Sequence, residues 1–187
     1  GVILFPNSSL PLNIFEKKYI EMINYSLASN RMVGMIQTKD KNNLYNFGCV
    51  GKIISFDETS DGRYLITLLG KNYFSISEEI STKKKFKLAK IKITEVQKYQ
   101  STKAFKRELL LKSYQEYVNK LKIKIDIELV SQVENIQLIK FIAMSCPFSS
   151  ADKQMLLETV DLTKLEDKLI SLLGFYSKNM DEKNSIN

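Results

Sequence analysis

The chain has 187 residues, 44% hydrophobic and 26% charged, with 28 Lys and Arg against 21 Asp and Glu for a formal net charge of +7. That length allows one large or two small domains with roughly 70% of the unfolded surface buried. It contains no His, which removes Ser-His-Asp and Cys-His catalysis and every His-ligated metal site, and its two cysteines, Cys49 and Cys146, are too few for a four-thiolate zinc site.

In chain order, the run Val2-Ile-Leu-Phe-Pro6 reads as a strand. Beyond Leu10-Pro11-Leu12, Asn13 and Glu16 have the spacing of a helix start in which Asn caps and Glu reaches back from the third position. Phe15, Tyr19, Met22, Ile23 and Leu27 then recur on one apolar face. Residues 32–37, 49–56, 63–69, 73–77 and 86–93 read as strands, the last alternating apolar and basic residues as a strand with one wet face does. Ser60-Asp61-Gly62 supplies a hairpin turn, and Gly70-Lys71-Asn72 is expected to supply a second.

From about residue 103 the period becomes helical. Phe105, Leu109, Leu110, Tyr114, Tyr117, Val118 and Leu121 make one apolar stripe. Asn135 is placed to cap a helix through Ile136, Ile139, Ile142 and Ala143 that stops before Pro147. Ser149 or Ser150 can cap the next helix, and Thr163 with Glu166 has capping-box spacing ahead of Leu169, Ile170, Leu172 and Leu173. Gly174 is placed near a helix end. The fold expectation is α+β: a mostly antiparallel, closed or partly closed β-barrel over residues 1–99 with an inserted helix, then a C-terminal helical bundle over 103–177. A short joint at 97–102 separates them, and residues 178–187 form a frayed polar tail.

Chemistry-bearing motifs are scarce. Neither Gly51-Lys52 nor Gly70-Lys71 is followed by Ser or Thr, so no phosphate-cradling loop exists. Gly48 and Gly51 enter a strand, which suits close backbone approach better than a nucleic-acid clamp between helices. Asp57, Glu58 and Asp61 read as a solvated hairpin tip, and Glu78-Glu79 as surface charge. Cys49 and Cys146 read as buried thiols. No charged-then-apolar leader opens the chain and no apolar run approaches the ~20 residues of a membrane span, so a cytoplasmic protein without a membrane partner is expected. No cofactor or metal is expected.

Several segments together resemble the amino-terminal, substrate-binding domain of Lon protease. The opening is similar to that family's: Leu4-Phe5-Pro6, Leu10-Pro11-Leu12, Ile14-Phe15-Glu16 and Lys18-Tyr19. Further on, Ala28 to Met35, Leu44-Tyr45 with Gly48-Cys-Val-Gly-Lys-Ile53, Asp61 to Gly70, and Pro147-Phe148 with Lys153-Gln154-x-Leu156-Leu157-Glu158 resemble its later segments in the same order. Asn72-Tyr73-Phe74 stands where the family has an Arg-Phe-like pair, so that Arg is missing. The resemblance implies a PUA-like barrel and a bacterial, non-enzymatic stand-alone form without the family's ATPase and protease modules. Its implied ligand is unfolded or apolar polypeptide, or a partner protein linked to proteolysis.

Two functional readings stay open at the level of residues. Tyr45 and Phe47, between polar Asn residues in an expected loop, are the candidate polypeptide contacts, either a lid on the core or an exposed hook. The alternative is RNA binding by a basic barrel face, with Lys83, Lys84 and Lys85 as candidate phosphate contacts. A solvated loop is the plainer account of that lysine run.

Overall fold

The computed structural model describes residues 1–40, 43–94 and 104–184. The chain divides into two compact units, one of Gly1–Gln97 with Ser149–Leu157 and the other of Lys98–Phe148 with Glu158–Asn187. The expected joint at 97–102 lies outside the described residues, as does the tip of the expected tail at 185–187.

The first unit is built on five antiparallel strands: β1 (Ser9–Ile14), β2 (Met32–Met35), β3 (Phe47–Glu58), β4 (Tyr64–Ile80) and β5 (Leu88–Thr94), with helix α1 (Lys17–Leu27) between β1 and β2. The hydrogen-bonded path runs β1-β4-β3-β2, and β5 pairs with the far end of β4. Among the described residues no ladder joins the two ends of that path, so this is the partly closed form of the expected barrel.

Three sequence expectations change here. The first strand is not Val2 to Pro6 but Ser9–Ile14, and Ile3, Leu4 and Phe5 serve as core side chains without a ladder. Asn13 consequently caps nothing. It pairs with Leu65 inside β1, and α1 starts after Glu16, which makes no side-chain cap bond. A six-residue ladder outweighs one cap, worth about 1 kcal/mol. The second expected turn is also absent, because β4 runs unbroken through Gly70-Lys71-Asn72. Gly51 pairs with Gly70 and Val50 with Asn72, leaving Lys71 as a bulge residue. Gly70 is needed for closeness, not for turning: a Cβ there would lie 2.0 Å from the Phe5 carbonyl oxygen. The same contact region is stitched by Asn7 N–H donating to Gly70 O (3.0 Å) and Gly70 N–H donating to Ser8 O (2.9 Å).

The hairpin between β3 and β4 forms as the sequence suggests. Gly62 has φ +80°, Thr59 N–H donates to Arg63 O (2.9 Å), and Arg63 pairs with Asp61 at 2.8 Å. Inward residues Tyr64, Ile66 and Leu68 alternate with Leu65, Thr67 and Leu69 on the other face. With Leu4, Phe5, Ile53, Tyr73 and Phe74 they build the core, each large apolar side chain contributing about 1.5–3 kcal/mol on burial.

Helix α5 (Ser150–Glu158) is grouped by contacts with this sheet, apart from its neighbours in sequence, except for its last residue. Ser149 caps it, its hydroxyl oxygen accepting from Asp152 N–H at 3.1 Å. Gln154 is buried, donates from Nε2 to Phe47 O (3.0 Å) and accepts at Oε1 from Gln37 Nε2 (3.2 Å), which also donates to Ser150 O (3.1 Å). Periodicity cannot see this arrangement, because it depends on two glutamines 117 residues apart.

The second unit holds α2 (Arg107–Lys120), α3 (Ile127–Ser131), α4 (Asn135–Ser145) and α6 (Leu162–Asn184), with α2 and α4 packed on α6. Leu110, Tyr114, Tyr117, Leu138, Ile139, Ile142, Leu165, Leu169 and Leu173 are buried, while Leu109 of the expected stripe is exposed. Asn135 is the first residue of α4 and not its cap; its side-chain oxygen accepts from Arg107, which also donates to Val133 O at 2.8 Å. As expected, α4 ends before Pro147, with Cys146 extended.

The capping box at α6 is replaced. Asp161 accepts from Thr163 N–H and Lys164 N–H, each at 3.0 Å, and Glu166 instead accepts from Lys106 N–H at 2.9 Å. The helix neither stops at Gly174, whose φ is not positive, nor frays from 178. It continues to Asn184, because Tyr176 packs on Phe148 (5.0 Å between ring centroids) and Lys120 donates to Asp181. Cys49 and Cys146 are buried in different units without a disulfide. No described helix is long and apolar enough to cross a membrane.

Candidate functional site

Among the described residues, the end of the sheet where β1, β3 and β4 run together carries four exposed apolar side chains. Phe15 is 66% exposed, Ile54 51%, Leu65 42% and Phe56 41%. Each is there for a local reason. Phe15 follows the last residue of β1 and precedes α1, so neither element covers it. Ile54 is the extra residue of a bulge between Ile53 and Ser55. Phe56 pairs with Ile66 and so faces the opposite side from Leu65; it lies beyond the reach of β2, which pairs only with residues 49–52, and its ring meets Tyr64 edge-on at 4.9 Å.

The register lays two rows across the outward face here: Asn13–Leu65–Asp57 and Pro11–Thr67–Ser55. These rows, with Leu12 and Ile66, line an open concavity of about 390 Å³. Leu65 sits at the middle of its row, with a carboxylate on one side and an amide on the other. The charged tip beyond it is partly self-neutralised. Arg63 holds the Asp61 carboxyl at about 2, well below the usual carboxylate range, first by donating to it and with help from the Thr59 hydroxyl. Chemically this site can bury apolar side chains and present the Asp57 carboxylate beside the Ser55 and Thr67 hydroxyls. Among the described residues no group of three or more Cys, Asp or Glu could hold a metal ion.

Tyr45 and Phe47 lie elsewhere in the same unit. Both are half-buried. Phe47 stacks on Tyr73 at 5.2 Å, and its carbonyl accepts from Gln154; Tyr45 N–H donates to Gln37 O at 2.9 Å. Their backbone is thus part of the fastening of α5 to the sheet. Burial pushes the Tyr73 hydroxyl well above its ordinary range. Gly48, the second residue of β3, allows the close backbone approach expected: a Cβ there would meet Met35 O at 2.4 Å.

Lys83, Lys84 and Lys85 are exposed, but Lys84 folds back, its ammonium 4.5 Å from the Tyr25 ring centroid and 5.7 Å from that of Phe86. Along β5, Lys90 pairs with Glu78 at 2.7 Å, and Lys87 just before it pairs with Glu79 at 2.9 Å. Glu78-Glu79 is surface charge, as expected, and it occupies cations that phosphate contact would need. The sequence pointed to neither Ile54, Phe56 nor Leu65, and it placed Phe15 on the fold. The available signal was that Phe56 ends a strand pattern beside Asp57-Glu58, where an apolar residue has little left to cover it.

Comparison with known proteins bears on the whole chain. The family model for the ATP-dependent protease La (LON) substrate-binding domain matches residues 1–174. Lon protease of Cytophaga hutchinsonii is 26% identical over 92% of this chain and 23% of its own length, and that of Flavobacterium johnsoniae 24% identical over 100% of this chain and 24% of its own. The chain therefore spans about a quarter of these relatives. Among solved structures, the N terminal domain of Mycobacterium avium complex Lon protease superposes with TM-score 0.63 at 19% identity, covering 92% of this chain and 93% of that one. A Lon N-terminal domain protein from Xanthomonas campestris gives 0.62 at 16%, covering 91% and 92%. At these identities the two structures establish the fold.

Proposed function

The chain belongs to the Lon substrate-binding domain family, and from that membership we propose that it is a non-enzymatic recognition module for apolar segments of unfolded polypeptide. The observation that carries the reading is Leu65 left exposed in an open concavity with Pro11 and Leu12, while Phe15 and Ile54 are exposed at the same sheet end and Phe56 on its opposite face. Large apolar side chains left uncovered beside a concavity are what a binding surface needs, because their burial against a ligand supplies the affinity. An unfolded ligand loses entropy on ordering, so affinity is modest. The absent His and the lack of a phosphate loop support a role in presenting polypeptide, with ATP hydrolysis and cleavage left to other modules.

The test is a titration of denatured protein at low and high salt with Phe15→Ser, Phe56→Ser and a Tyr45→Ser/Phe47→Ser pair. Apolar burial is barely screened, so binding should persist as salt rises. The first two variants should weaken binding about tenfold or more, with circular dichroism unchanged. The double variant decides whether Tyr45 and Phe47 form a second contact. RNA that binds tightly at low salt and is lost at high salt, with no binding of unfolded chains, would establish the alternative reading instead.

A further inference from the structure

We propose that the concavity over Leu65 selects apolar segments that carry a Lys or Arg close by, the cation pairing with Asp57; this rests on the polypeptide-binding reading above and names its ligand class. Asp57 is the charged side chain among the residues that line the concavity, and it shares a cross-strand row with Leu65. Directly opposed positions on neighbouring strands lie about 5 Å apart, so one ligand segment can cover Leu65 and reach Asp57 together. In an extended segment, side chains two residues apart face the same way at about 6.6 Å, which suits an apolar residue over Leu65 and a long basic side chain at the next position.

The surroundings leave Asp57 available. No ion pair or hydrogen bond to its carboxylate is found among the described residues, whereas its neighbours Asp61 and Arg63 are committed to each other at 2.8 Å. Lys18 is engaged by Glu16 at 3.0 Å, and Glu58, which pairs with Tyr64, faces the other side of the sheet and leaves Asp57 as the carboxylate of the concavity. The chain as a whole is +7, so its long-range field attracts acidic ligands and repels basic ones. A local preference for cations therefore runs against the net charge, and the two effects predict opposite rankings.

The experiment uses three labelled peptides with one apolar core, flanked by Lys, Ser or Glu, titrated by fluorescence anisotropy against the full chain and Asp57→Asn, Asp57→Lys and Leu65→Ser. The expected ranking at moderate salt is Lys over Ser over Glu, with Asp57→Asn lowering affinity for the Lys peptide about two- to fivefold and leaving the Ser peptide unchanged, the range of an exposed ion pair. Asp57→Lys should invert the ranking, and Leu65→Ser should weaken all three. Equal affinities, or a Glu-first ranking that Asp57→Asn does not alter, would overturn the inference while leaving apolar recognition intact. If no peptide binds, and Phe15→Ser and Phe56→Ser change nothing, both readings fall.

Discussion

A methyl group at residue 70 would collide with the Phe5 carbonyl oxygen, whereas one at residue 174 would meet nothing within 4 Å. The same substitution should therefore act in opposite directions. Gly70→Ala forces strand β4 away from the opening segment and should lower stability by about 1–3 kcal/mol, the usual result of overpacking. Gly174→Ala, inside α6, should raise it by about 0.5–1 kcal/mol through helix propensity. Thermal unfolding of the two variants beside the parent checks both signs. Charge behaves as locally as shape. The Asp61 carboxyl, held at about 2 by Arg63 and Thr59, has a folded value below its unfolded one. Its contribution is thus fully present above about pH 4 and is lost as pH falls through about 2. An NMR titration should place its midpoint near 2, and Arg63→Gln should move it toward the ordinary carboxylate range; a midpoint unmoved by that change would show that the pair is not formed in solution.

Elements differ from the sequence expectation wherever a partner far along the chain replaces a local signal. The Ser60-Asp61-Gly62 hairpin, the stop of α4 before Pro147 and the Ser149 cap were legible because their causes lie within four residues. The Asn13, Asn135 and Thr163–Glu166 caps do not form because a ladder, an arginine from α2 and Asp161 take their places. The apolar rim escaped notice for a related reason: exposure at a sheet end depends on where neighbouring strands stop, and β2 stops four residues before Phe56 is reached. Each outer strand is also blunted. Pro11 removes a donor from β1, β2 has four residues, and β5 carries Lys90 and Lys92, which favours side-chain burial over strand addition as the mode of the proposed binding. Glu166 tests an element junction. Burial raises its pKa, so its charged form lowers stability at neutral pH and the site stabilises the fold increasingly as pH falls through the raised value. Glu166→Gln keeps an acceptor for Lys106 N–H and should match or exceed the parent at pH 7. Glu166→Ala should lose about 1 kcal/mol, read from urea midpoints.

On the scale of the whole molecule, the basic charge is diffuse and the sheet unit is discontinuous, closed by residues that follow a long excursion through helices α2 to α4. A fragment ending at residue 99 lacks Gln154, leaving Phe47 O and Gln37 without the partner that joins them. It should be aggregation-prone and unfold without a cooperative transition, and tethering residues 149–158 to it through a flexible linker should restore one by calorimetry. A fragment that unfolds cooperatively without that helix would show that α5 is dispensable. The same discontinuity sets a clock on synthesis. Ribosomes add about 5–20 residues per second, so the roughly fifty residues between Gln97 and Ser149 keep a nascent sheet waiting about 3–10 s for its last helix. During that interval the strands already outside the exit tunnel present an unsealed surface, and the chain is itself, for a few seconds, a client for the kind of capture it is proposed to perform.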